Sequence, residues 1–406
     1  MQLLSPGSRR AITLILALLW CTAGPSQTVM LSPESGRPGT HAMVSFRGAQ
    51  ATFGASTNWS EYGFAANHTN FNPYENILNT GNVSGLVANW AVGSYVRIPT
   101  QPVVVNGVVY FGSNKDLEAV DASNASTLWT YTTGGSVHSS PAVSGGAVYF
   151  GSFDHNVYAL NAVTGGELWQ YSTGSRVQSS PVVANGVLYV GSQDHNLYAL
   201  DANTGTMLWS FTTGGEVISS PAVADGVVYF GSWDRNIYAL DAATGVKKWS
   251  YATGGAVSDS PSVVGGVVYF GSEDYRVYAL NAKTGVKLWS YATKGTIDSS
   301  PAVANGVVYT GSADGTFYAL NTSSGAILWS IGICLCSTAV VANGVVYVST
   351  AYAMDELDAS TGATLGSWGV DNGYSPAVVN GVVYVYDRFG GRLFALGLPS
   401  NTGARQ

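Results

Sequence analysis

Five aspartates, Asp154, Asp194, Asp234, Asp274 and Asp314, recur at steps of forty residues. Carboxylate oxygens in such a series could serve a hard divalent cation. Each, however, ends a Gly-Ser-x-Asp turn such as Gly231-Ser232-Trp233-Asp234. An aspartate in a tight turn caps its own backbone, so the series is read as structural. The histidines show no ligand spacing, since His155 and His195 sit in that same turn while His41 and His68 lie outside the repeats. Cys334-Leu335-Cys336 leaves two readings open. An exported chain could oxidise the pair, but the bridge would close a small, strained ring; the other reading is two half-buried thiols.

The more informative positions are those where the repeat varies. Val137, Val177, Val217 and Val257 each precede a serine-rich stretch ending in proline, and their flanks differ. Read as a strand, this stretch alternates, placing the flanks on the side opposite the valine. The flanks include His138, Arg176, Gln178, Glu216 and Asp298, with Asp259 one step further on. These six are the candidate positions facing a ligand or partner. No catalytic, cofactor-binding or metal-binding residue is assigned, because catalysis needs an acid, a base and an electrophile converging in one pocket.

The elements that must position these residues come from self-similarity. Pro141, Pro181, Pro221, Pro261 and Pro301 head copies forty residues apart; Pro102, Pro376 and Ala339 head three more, making eight. Every copy has a two-residue turn, from Asn106-Gly107 to Asn380-Gly381, of the kind a type I′ hairpin requires. A β-branched run, the Gly-Ser-x-Asp turn, a strand such as Ile237-Tyr238-Ala239-Leu240, a Thr-Gly turn and a tryptophan strand follow. Four strand signals per copy without helical periodicity predict an all-β, eight-bladed β-propeller of four-stranded antiparallel blades. Trp129, Trp169, Trp209, Trp249, Trp289 and Trp329 share one frame position, with Trp368 slipped by two residues. Trp90 precedes the first copy, and the last copy ends near Leu396 without a tryptophan strand. The strand around Leu86 to Val92 is therefore expected to complete the last blade and close the ring, hiding both sheet edges. The eight tryptophans are expected to pack between blades.

Charged residues make up only 10% of the chain, and a net charge of −7 argues against a nucleic-acid surface. Arg9 and Arg10, the run Ala11 to Trp20 and small residues up to Ala23 form an export-signal pattern. The run is too short to span a bilayer, and no later stretch offers a transmembrane span. The expected organisation is a signal peptide over 1–23, a flexible lead-in over 24–57, the propeller over 58–397 and a tail over 398–406. The aromatic stretch from Asn58 to Asn82 is expected to lie over one face or the rim without regular structure.

The run Ala239-Leu240-Asp241-Ala242-Ala243-Thr244-Gly245-Val246-Lys247-Lys248-Trp249 resembles the repeat of the pyrroloquinoline-quinone (PQQ)-type propellers. Trp59, Asn82-Val83-Ser84-Gly85-Leu86 and Trp90 resemble the stretch that opens such domains. The resemblance implies either a quinone-dependent alcohol or sugar dehydrogenase or a non-catalytic relative of the outer-membrane assembly scaffold. The dehydrogenases carry a vicinal Cys-Cys pair, a Ca²⁺ site and pocket-building insertions. This chain has no Cys-Cys, and its repeats keep a nearly constant length. The leading expectation is an exported, periplasmic or extracellular, non-catalytic module for a protein or cell-envelope partner, with no cofactor. A dehydrogenase using PQQ with Ca²⁺ is the first alternative. A carbohydrate- or envelope-binding surface protein, suggested by aromatics in the lead-in, is the second.

Overall fold

Asn185 and Gly186 both take positive φ, 52° and 79°, which is the backbone a two-residue type I′ hairpin needs. That turn joins the inner strand Val182–Ala184 to Val187–Gly191, and Asn196–Asp201 and Met207–Thr212 complete an antiparallel blade. The computed structural model describes residues 58–93, 100–333, 337–370 and 373–399, and repeats this pattern in eight sheets. Numbered by their inner strands, the blades begin at Val103–Val105, Ala142–Ser144, Val182–Ala184, Ala222–Ala224, Ser262–Val264, Ala302–Ala304, Val340–Ala342 and Ala377–Val379. The all-β, eight-bladed propeller is as expected. So is its closure: Val87–Gly93 pairs antiparallel with Arg392–Gly397, placing Trp90 opposite Ala395. The export segment, the whole lead-in, Cys334, Cys336 and most of the tail lie outside the described residues.

Seams between blades share one device. Trp209 Nε1 and Tyr189 Oη, from one blade, both donate to the carbonyl of Ala242 in the next, at 3.1 and 2.9 Å. The indole lies against Gly245, whose φ of +70° suits a residue without Cβ; an added Cβ would come within 2.7 Å of the ring. Equivalent indole bonds run from Trp129, Trp169, Trp249, Trp289 and Trp329. Trp90 Nε1 bonds Ala122, so the closing strand locks the last blade to the first. Trp368 departs from the expectation. It faces Met354, whereas Gly366 occupies the tryptophan's place opposite Glu356. The 3₁₀ turn Val83–Gly85 accounts for this: a Cβ on Gly366 would meet the Ser84 backbone at 3.0 Å, leaving no room for an indole. Both Trp368 Nε1 and Tyr347 Oη are consequently buried without a hydrogen-bond partner at this seam.

The stretch after Asn58 threads the inner edge of the ring, where the expectation was one face or the rim. It offers roughly one bond per blade, in chain order. Trp59 pairs with Val104, Ser60 O accepts from Val143, and the Glu61 carboxylate accepts from Val183. Ala66, Asn67, Thr69 and Asn70 carbonyls accept from Val223, Val263, Val303 and Val341. Asn72 Nδ2 then donates to Val378 O in the eighth blade. Part of it is regular, contrary to expectation: Phe71–Asn72 pairs in parallel with Val341 and Ala342. An inner strand has a free edge, and each bond satisfies a backbone group that the edge would otherwise leave to water.

This belt buries the carboxyl of Glu61 and the imidazole of His68. Burial pushes Glu61 up to about 8 from 4.5 and His68 down to about 3 from 6.5. Between about 4.5 and 8 the folded state keeps a proton on Glu61 that the unfolded chain has released, so stability falls as pH rises. His68 acts in the opposite sense between about 6.5 and 3, where only the unfolded chain is protonated. Glu356, raised by burial to about 7, adds to the alkaline decline. Glu61→Gln keeps a carbonyl for the Val183 N–H and should flatten the loss of thermal midpoint between pH 6.5 and 8. A mutant and wild type that decline in parallel would contradict the buried, protonated Glu61.

A second expectation concerns the seams. Trp209→Phe removes a made hydrogen bond and should cost about 1 kcal/mol beyond lost packing. Trp368→Phe removes an N–H with no acceptor and should cost less or stabilise. Denaturant titration of the two variants provides the comparison, and an equal cost for both would contradict the difference between these seams.

Candidate functional site

The serine or threonine just before the head of each of six copies builds a belt of hydroxyls around the channel. Gln101 N donates to Ser140 Oγ at 2.8 Å and Ser140 N to Ser180 Oγ at 2.9 Å. The series continues through Ser220, Ser260, Ser300 and Thr338 at 2.9–3.1 Å. Each bond joins neighbouring blades by their innermost residues. Gln101 Nε2 also bonds Pro376 O at 2.9 Å, carrying the series across the closing seam. Beneath these hydroxyls, Tyr62 Oη bonds Ser300 at 3.0 Å and lies 3.3 Å from Thr338. The belt thereby puts a phenol on the floor of the channel, and burial raises Tyr62 above the ordinary phenol range.

The result is a polar pit of about 300 Å³. Four of the six predicted positions line it: His138, Gln178, Asp259 and Asp298. Arg176 and Glu216 are not in the lining. Arg176 instead lies over the Phe153 ring, 5.1 Å from its centroid, and His138 stacks on that ring at 4.2 Å. Burial, then the charges of Arg176 and Arg388, lowers the His138 imidazole from its usual range. Asp259 is held well above the carboxylate range by burial, then by the charges of Asp298 and Glu273. Cationic groups thus gather on the side of His138 and acidic groups on the side of Asp259 and Asp298.

The expected placement of these residues on a first strand is corrected. The inner strands start only after the proline, at Ala142 and its equivalents, and the x-Val-x stretch has no ladder partners. The valine is fixed by packing: a Cβ on Gly191 would meet Val217 Cγ1 at 2.5 Å, and Gly231 and Val257 repeat the relation. This contact buries the valine and turns the residue after it toward the channel.

The repeated aspartates are structural, with more partners than their own turn. Asp194 Oδ1 accepts from Asn196 N, while Oδ2 accepts from Tyr198 Oη at 2.7 Å and Gly174 N at 2.6 Å. Among the described residues no three His, Cys, Asp or Glu side chains are grouped to hold a metal ion. Tyr62, Gln101 and Tyr374 also line the pit and were not singled out from sequence. The serine before Pro141, Pro181, Pro221, Pro261 and Pro301 was the visible signal of the hydroxyl belt.

The aromatics of the stretch from Asn58 to Asn82 are mostly covered. Trp59 is fully buried, Tyr62, Phe64 and Phe71 are half-buried, and Tyr74 alone among those aromatics is exposed.

Comparison with solved structures gives the fold its relatives. BamB from Moraxella catarrhalis superposes with a TM-score of 0.68 at 17% identity, covering 77% of this chain and 99% of its own. Quinohemoprotein alcohol dehydrogenase from Comamonas testosteroni superposes at 0.74 and 16% identity, covering 87% of this chain and 82% of its own. At such identities these likenesses show a shared fold. No curated protein matches the chain. The family model described as outer membrane protein assembly factor BamB matches residues 88–160, 153–297 and 274–403, and with most of the ring covered the chain belongs to this family of PQQ-type repeat propellers.

Proposed function

We propose that this protein is an exported, non-catalytic scaffold whose channel mouth receives a protein or cell-envelope partner. The observation that carries the reading is a pit lined by unlike residues, His138, Gln178, Asp259 and Asp298, on a ring of otherwise near-identical blades. Variation along the lining of a repeated frame is what selective recognition requires, because the frame itself offers a similar surface at every blade. The arrangement favours binding over catalysis: His138 is held by stacking on Phe153, and Tyr62 Oη is engaged by Ser300. The export-signal pattern before Ala23 supports a periplasmic or extracellular location, and no helix among the described residues is long and apolar enough to cross a membrane. The family's description, an assembly factor for outer membrane proteins, supports a partner that is itself a protein.

The quinone alternative is not favoured by the residues present. A quinone cofactor needs a flat surface to lie against and calcium needs several converging oxygens. The pit presents hydroxyls and an engaged phenol, and the described residues contain no such group of carboxylates.

A photo-crosslinking residue tests the reading when placed at Gln178, at the mouth, and at Asn203, in a turn at the opposite end of a blade. Adducts should form in the native envelope from position 178 and be absent or much weaker from 203. The same purified protein should show no substrate-dependent dye reduction with PQQ and Ca²⁺. Equal adducts from both positions would remove the mouth as the binding surface, and quinone-dependent turnover would replace the scaffold by a dehydrogenase.

A further inference from the structure

Asp259 occupies a position that five other blades give to a serine or threonine hydroxyl with a defined task. Thr100 Oγ1 accepts the Gly112 N–H at 2.8 Å, Ser179 Oγ that of Gly191 at 3.1 Å, and Ser219 Oγ that of Gly231 at 3.1 Å. Ser299 and Ser337 do the same for Gly311 and Ser349, at 2.7 and 3.2 Å. Asp259 does not take over this task. Its Oδ2 comes so near Gly271 that an added Cβ would meet it at 2.8 Å, yet that oxygen is buried without any hydrogen-bond partner. The residue keeps only 8% of its surface exposed while lining the pit. A serine would serve this blade better, because an uncompensated buried carboxylate is among the costlier groups a fold can hold. Structure alone therefore does not account for the carboxylate.

The surroundings indicate what would compensate it. Asp298, on the neighbouring blade, adds a second carboxylate to the same lining. Ser258, Ser260, Ser300 and Tyr62 surround the two with hydroxyl oxygens. We propose that this acidic wall is a subsite for a compact organic cation, a primary ammonium or a guanidinium, seated against Asp259 and Asp298. Such a cation brings several N–H donors to one point, matching an unpartnered carboxylate and adjoining hydroxyls. Among the described residues no third His, Cys, Asp or Glu side chain joins the two carboxylates to hold a bare metal ion. The charges of Arg176 and Arg388, felt at His138 across the pit, disfavour a cation on that side and leave the acidic wall as its place. Burial and the charges of Asp298 and Glu273 push Asp259 upward, and a cation seated against it would act in the opposite sense.

The inference deepens the reading of the mouth as a binding surface and rests on it: the cation can be a free amine or a lysine or arginine side chain of the partner. Calorimetry of the full-length mature protein with n-butylammonium and butylguanidinium, with n-butanol and CaCl₂ as controls, tests the chemistry. Acetyl-Gly-Lys-Gly-amide against its norleucine counterpart separates a side chain from a free amine: tighter binding than n-butylammonium assigns the subsite to a protein, and weaker binding to a small amine. Saturable binding of at least one cation, weakened roughly tenfold or more by both Asp259→Asn and Asp259→Ser, is expected. Asp259→Ser restores the hydroxyl of the other blades, so its thermal midpoint should match or exceed that of wild type. No saturable heat with either cation, equal affinity in Asp259→Ser, or tighter binding of Ca²⁺ than of both cations would overturn the subsite. If the wild type binds no cation while crosslinking from Gln178 persists, the subsite falls and the mouth remains the partner surface.

Discussion

One backbone carbonyl per seam carries much of the register of this ring. Ala242 O, for example, receives an indole and a phenol from the preceding blade at once. Two rigid side chains converging on one acceptor fix both the distance and the rotation between adjacent sheets, which packing of aliphatic side chains alone would leave looser. The geometry works only if the donor strand, the acceptor turn and the αL glycine under the indole keep their spacing. The forty-residue step is the sequence trace of that requirement. Where the seam is built differently, at the seventh blade, the step also slips, and two buried donors are left without acceptors.

A ring locked at the outer strands still has inner edges facing the axis. The belt from Trp59 to Asn72 answers that problem with one passing contact per blade, using main-chain carbonyls for most blades and the Glu61 and Asn72 side chains for two. The same passage puts Tyr62 beneath the hydroxyls, so satisfying the edges and setting the floor of the pit are one structural event. Side chains of the belt pay in desolvation: Glu61 and His68 are both held in their neutral forms by burial.

The parts of this architecture that repeat locally were legible in the sequence. The Asn-Gly hairpins, the four strands per copy and the closing strand before Val92 follow from turn chemistry and a count of tryptophans. Misplacements arose where the partner lies far away in the chain. Trp368 looks like a slipped member of its series until Ser84, some 280 residues earlier, is found in the space opposite Gly366. The belt has no period because it meets each blade only once. Three of the four candidate positions that reached the pit, His138, Gln178 and Asp298, directly follow a buried Val137, Val177 or Ile297 that turns them inward, whereas Asp259 lies one residue further along. Arg176 and Glu216, on the other flank, point away from the lining. The valine alternation was real, but packing against a glycine produces it, not strand pairing.

Symmetry gives the remaining argument about function. In a ring of near-identical blades, any residue that maintains the frame should recur, and the serine hydroxyls, the aspartate turns and the indole locks do recur. A residue that breaks the series and costs stability has to be compensated by something the frame does not supply. Asp259 is such a residue, placed where its neighbours use a hydroxyl to cap a glycine N–H, and it faces the same pit as Asp298 and His138. Arg176, lying over the Phe153 ring on which His138 stacks, breaks the series on the other side with the opposite sign of charge. Under the proposed cation subsite, a pit polarised across its diameter would take an oriented occupant, with its cationic end toward Asp259, and a single propeller would in this way present one preferred docking direction from an almost symmetric frame.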